Sequence, residues 1–148
     1  DKRYSCLHVR LGDLSAVCDN IADESTSVYW LAGRAAKGYK CTITTQMVLS
    51  AIRQAPTNTV LVLSDQSERI ESLVKGEKKR VVTSADIIAR LRVLAEGLPT
   101  NTIEALSAVV EQHLCAGASD LWISAFSTFS KSIKTIRGDN NQPGLHYW

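Results

Sequence analysis

Val60-Leu61-Val62-Leu63 is an apolar run with no polar residue at alternate positions. A strand with one wet face alternates apolar and polar residues, because successive side chains point to opposite sides of a sheet. This run does not alternate and is too short for a helix. It is bounded by Pro56-Thr57-Asn58 on one side and Ser64-Asp65-Gln66-Ser67 on the other. It therefore reads as a strand buried on both faces. Strands of that kind belong to parallel sheets covered by helices above and below, so the run predicts an α/β fold.

Three more short apolar runs join it: Ser5–Arg10, Arg80–Thr83 and Asp120–Ala125, beside Thr59–Ser64. Helical patterns separate them, which indicates βαβ units. The expectation is a Rossmann-like three-layer domain over residues 1–138, with a central parallel sheet of about four strands. A first helix, from about Thr42 to Ala55, turns Ile43, Met47, Val48 and Ile52 inward, with Thr42, Thr44 or Thr45 as cap. A helix of about eight residues follows Ser67, with Ile70, Leu73 and Val74 inward and Gly76 at its end. Ser84 is placed to cap the next, whose face carries Ile87, Ile88, Leu91, Leu94 and Ala95. Asn101 and Glu104 resemble a capping box ahead of an Ile103, Leu106, Val110, Leu114 stripe. A last helix opens at Ser127–Ser130, with Phe129, Ile133 and Ile136 facing the sheet. Leu14–Lys40 reads mostly as loop, with Tyr29-Trp30-Leu31 as an anchor to the core or a ligand contact. Residues 139–148 form a polar tail, either disordered or laid across the domain.

A chain of 148 residues suits one core, and 45 % apolar with 22 % charged residues suits a soluble globular domain. A net charge of +2 with no basic stripe gives no argument for nucleic acid. No run approaches the roughly 18 apolar residues of a membrane span, and the first residues carry no signal-peptide pattern. A strand so near the first residue suggests a piece cut from a larger protein. Cys6, Cys18, Cys41 and Cys115 show no C-x-x-C spacing, which argues against a zinc site. Buried free thiols are expected, with a Cys18–Cys41 disulfide as the alternative.

Chemistry concentrates at three strand ends. Ser5–Arg10 runs out through His8 and Arg10 into Gly12 and Asp13; the second strand closes in Ser64-Asp65; the fourth runs into Ser124–Ser130. In a parallel sheet these ends share one edge, where ligands bind. Arg10 can clamp a phosphate through two parallel hydrogen bonds. The first turn of a helix at Ser127-Thr128-Phe129 offers backbone N–H groups and a positive dipole end, with hydroxyls on Ser127, Thr128 and Ser130. Ser127 or Thr128 also serves as a plain N-cap, Asp65 as a helix cap or an acceptor for ribose or base, and His8 as a core histidine. Asp13 can bond the turn behind Gly12 or hold Arg10.

His8-Val9-Arg10-Leu11-Gly12-Asp13 resembles the H-x-R-x-G-D signature of the GDP-fucose fucosyltransferases, the GT-B superfamily of α1,2-, α1,6- and protein O-fucosyltransferases. Val60–Asp65 is similar to that family's second motif. Glu111–Ala116 followed by Ser124–Ser130 is similar to its third, in the family's order. The resemblance implies a C-terminal, donor-binding half. Arg10 would be the catalytic residue, offsetting charge as GDP leaves. His8, Asp13, Asp65, Ser127, Thr128 and Phe129 would bind the donor GDP-fucose. Transfer to a glycan or protein acceptor would invert the sugar carbon, with no metal and no cofactor. Two departures stand out. Leu11 occupies a position where several branches carry a second Arg, and the family's N-terminal half is not in this sequence. These favour the alternative, a non-catalytic nucleotide-binding or protein-interaction domain. A different Rossmann-like nucleotide enzyme is a third reading, without a G-x-G-x-x-G after the first strand to support it. The resemblance leaves both the Golgi and the cytoplasm open.

Overall fold

A computed structural model describes residues 3–12, 42–138 and 144–148. Asp13, Cys18, Cys41 and the expected loop Leu14–Lys40 lie outside them. The first strand, β1, is Ser5–Val9, followed in the described chain by α1 (Thr45–Gln54) and β2 (Thr59–Ser64). Then come α2 (Ser67–Val74), β3 (Arg80–Thr83), α3 (Ser84–Leu94) and α4 (Thr100–Ala116). β4 (Asp120–Ile123), α5 (Thr128–Arg137) and β5 (Leu145–Tyr147) complete it. The strands form one sheet in the order β3-β2-β1-β4-β5, every neighbouring pair parallel. This is the expected α/β three-layer, Rossmann-like architecture.

The sheet has five strands because the polar tail supplies one. β5 is three residues long, too short to show a period. Its entry depends on Gly144, whose φ of +80° lies in the left-handed region. A Cβ there would stand 2.5 Å from the Ser119 carbonyl oxygen. Gly144 O accepts from Leu121 N–H at 2.6 Å, and Trp148 N–H donates to Ile123 O at 3.2 Å, so both ends of β5 are tied to β4.

Alternation along the strands sorts the core into two layers. Leu7, Val9, Val60 and Val62 pack with Val48, Ala51 and Ile52 of α1, Ile70 of α2, and Trp148. Cys6, Leu61, Leu63, Leu121 and Ile123 pack on the other face with Ile87 of α3, Cys115 of α4 and Ile133 of α5. β2 sends apolar side chains to both layers, which is why its sequence does not alternate. Each fully buried Leu, Ile or Val contributes about 1.5–3 kcal/mol.

Several local expectations are corrected. Cys6 and Cys115 are not free thiols: they form a disulfide, with Cα atoms 5.3 Å apart across a sequence separation of 109. That bond fixes the rotation of α4. With Cys115 facing β1, the inward line steps back through Ser107 and Ile103, both buried. Leu106 and Leu114, expected inward, are 38 % and 37 % exposed. α4 begins at Thr100 with Pro99 as N-cap, and Asn101 makes no capping box. On α3, Leu94 is 69 % exposed where an inward position was expected. The cap of α3 is Thr83, paired with Asp86 in a capping box, and not Ser84. Ser84 Oγ instead accepts from Ser64 N–H at 3.2 Å. Ile136 of α5 is 40 % exposed, while Ile133 is fully buried. Among the described residues no helix is long and apolar enough to cross a membrane.

Candidate functional site

The chain leaves β1 toward β2 and β3 on one side and places β4 and β5 on the other. The crevice between the C-terminal ends of β1 and β4 is therefore a topological switch point, the place where open α/β sheets bind ligands. His8 and Arg10 mark one lip and Ser124–Ser130 the other.

His8 lies on the face of β1 that α5 covers, 6 % exposed. Its Nδ1 is 2.7 Å from Ser130 Oγ, and its ring stacks on Phe129 with centroids 4.8 Å apart and planes 19° from parallel. Ser130 Oγ also accepts from Ser124 N–H at 3.1 Å. Burial lowers the imidazole to a pKa of about 4; Asp65 acts against that shift and Arg10 with it. We assign a neutral ring protonated on Nε2, since Ser130 then donates to Nδ1 while accepting from Ser124. His8 is accordingly a neutral group at physiological pH, and Arg10 is the cation of this lip. Arg10 stands one residue past β1, half-buried.

Ser127 is the N-cap of α5, its Oγ accepting from Ser130 N–H at 3.4 Å. Its side chain and that of Ser130 are buried, so Thr128 alone of the three hydroxyls is exposed. Helix geometry leaves the N–H groups of Thr128 and Phe129 without intrahelical acceptors. They and the helix dipole suit an anion.

Asp65 is one residue past β2, the strand that flanks β1 on the side away from β4. Its Oδ1 accepts from Leu11 N–H at 2.9 Å and its Oδ2 from Gly12 N–H at 3.0 Å. A hollow of about 470 Å³ lined by Asp65, Gln66, Ser67, Glu68 and Arg69 opens beside it. The structure thus brings His8 together with Phe129 and Ser130, and Asp65 together with the turn after Arg10. Asp65 also acts electrostatically on His8, the ring that stacks on Phe129. Asp13 lies outside the described residues.

Sequence reading missed three participants. Ser130, expected to add a hydroxyl donor to the anion site, is instead the partner of His8, 122 residues away. Gly12 was read only as part of a turn, yet a Cβ there would stand 2.5 Å from Asp65 Oδ2. Glu111 of α4 bonds the Ser84 hydroxyl, and burial raises its pKa against that bond. Only its helical spacing from Cys115, one turn on, could have marked it as inward.

No protein-family model matches the chain, and no curated protein matches it.

Proposed function

We propose that the domain binds a guanine nucleotide sugar, GDP-fucose, at the β1/β4 switch point, and that it is the donor-binding part of a fucosyltransferase-like enzyme. One observation carries the reading: His8–Gly12, Ser64-Asp65 and Ser124–Ser130, far apart in sequence, lie at the C-terminal ends of three adjacent parallel strands, while Glu111–Ala116 runs to the opposite end beside Tyr4. Arg10 and the first-turn N–H groups of Thr128 and Phe129 supply opposed donors for a diphosphate. The choice of guanine and fucose rests on the motif resemblance.

The chemistry would be a displacement at the anomeric carbon. An acceptor hydroxyl forms a bond to that carbon as the bond to the diphosphate oxygen breaks, and configuration inverts. GDP leaves with the bonding pair, and Arg10 stabilises the added charge more in the transition state than in the ground state. His8, neutral and fixed by Ser130, orients the diphosphate as a hydrogen-bond donor. The acceptor would be a glycan or protein, and no base for its proton is assigned among the described residues.

A second reading has an observation of its own. Leu11 packs against the apolar layer beneath the sheet. The position after Arg10 is thus committed to the core and adds no second cation. A nucleotide-binding module without transfer activity fits that.

Titration calorimetry with GDP, GDP-fucose and GDP-mannose tests the proposal. Binding of GDP and GDP-fucose is expected, weakened about 10- to 100-fold by Arg10→Ala, the scale of one lost charged hydrogen bond. No binding by any of the three refutes it. Binding without GDP release in the presence of acceptors and a complementing domain supports the module.

A further inference from the structure

A carboxylate that grips a ribose diol or a base edge uses both oxygens at once. In this protein two consecutive backbone amides each hold one oxygen of Asp65, and the Ser64 hydroxyl donates to Oδ1 at 3.4 Å as well. Leu11 N–H bonds Oδ1 and Gly12 N–H bonds Oδ2, at 2.9 and 3.0 Å. The side chain is delivered from a braced strand end. Ser64 N–H donates to Ser84 Oγ, Gln66 N–H to Ser64 Oγ at 3.1 Å, and Ser67 Oγ to the Ser64 carbonyl at 3.3 Å. Gly12 is matched to this carboxylate. Its φ is not among the positive values, so left-handed backbone is not the reason for glycine there. The reason is space, since a Cβ would reach 2.5 Å from Oδ2. Leu11 fixes the other side of the turn by packing into the core.

We infer that Asp65 is a positioning residue: it fixes the backbone just after Arg10 through the Leu11 and Gly12 amides, and so sets Arg10 for the phosphates instead of touching the nucleoside. A turn ordered beforehand loses less freedom when the ligand arrives, which raises affinity without adding a contact. The inference rests on the nucleotide-binding reading for its ligand, and the pinned turn itself does not.

The test uses the whole chain and a fluorescent GDP analogue, displaced by inorganic pyrophosphate or by guanosine. Asp65→Asn keeps the size of the side chain but puts an NH₂ group against one of the two amides. It should weaken pyrophosphate about tenfold and leave guanosine unchanged. Guanosine weakened while pyrophosphate is unchanged would make Asp65 a nucleoside contact and overturn the inference. If Asp65→Asn does not fold, Gly12→Ala displaces the carboxylate from the other side and is read the same way. If the wild-type chain binds no GDP analogue, the proposed function fails. The pin is then judged by backbone amide exchange at Leu11 and Gly12, which should quicken in Asp65→Asn. Equal rates in variant and wild type would sink it.

Discussion

Acidification should cost this domain stability through one histidine. His8 is buried, and its pKa falls from 6.5 to about 4. Between those values the unfolded chain takes a proton at His8 that the folded chain refuses. The unfolded state then binds more protons, so stability falls as the pH falls. The contribution is fully present above pH 6.5 and is lost on the way down through about 4. Each pH unit in the window is worth about 1.4 kcal/mol, so His8 removes about 3 kcal/mol by the bottom of it. With a urea slope of about 2 kcal/mol per molar, the midpoint drops by about 1.5 M. Carboxylates titrate in the same range, so the measurement must be a difference. His8→Asn keeps an acceptor for Ser130 and cannot ionise. Urea unfolding of both proteins from pH 7.5 to pH 4 should give curves that converge as the wild type loses its advantage. Parallel curves would mean that His8 titrates in the fold as it does in the unfolded chain, and the lowering of its pKa by burial would be wrong.

Ser130→Ala should cost about 2–4 kcal/mol in the same assay, because it strips a partner from both His8 Nδ1 and the buried Ser124 N–H. A loss below about 1 kcal/mol would show that water replaces the hydroxyl. Gly12→Ala should cost about 1–2 kcal/mol, since the carboxylate must leave at least one exposed amide. That cost should shrink in an Asp65→Ala background, and additive losses would refute the contact. Cys6→Ala with Cys115→Ala should cost up to about 5 kcal/mol, the scale for a closed loop of this length. Peptide mapping of the unreduced protein should recover a Cys6–Cys115 crosslink, and its absence would remove that bond from the fold.

Much of the layering was legible because hydrophobic burial writes itself into periodicity. β2 and β3 have the bounds expected of them, since a strand covered on both faces cannot alternate and the breakers around it are strong. What escaped depended on contacts distant in sequence. Leu145-His146-Tyr147 has no period of its own and becomes a strand only because β4 offers an edge. Leu106 and Leu114 looked like core residues, but the cross-link at Cys115 turns α4 so that Ser107 faces inward. The candidate site divided the same way. Its residues were legible as strand ends, yet no pattern joined His8 to Ser130 or told that Asp65 turns toward Leu11 and Gly12.

The central position of β1 bears on how the chain reaches its native state during synthesis. Ser5 pairs with Val60 on one edge and with Asp120 on the other. Of the described strands it is made before the others; its first sheet partner, β2, follows about 50 residues later, and its second, β4, only after more than 100. Contacts that distant close slowly and leave strand edges open to other chains in the meantime. His8 finds its hydroxyl partner only when α5 is made, so a nascent chain cannot possess the crevice before that point. The Cys6–Cys115 bond joins the same early strand to a late helix. Its appearance in stalled chains of increasing length would therefore date the arrival of α4 on the sheet.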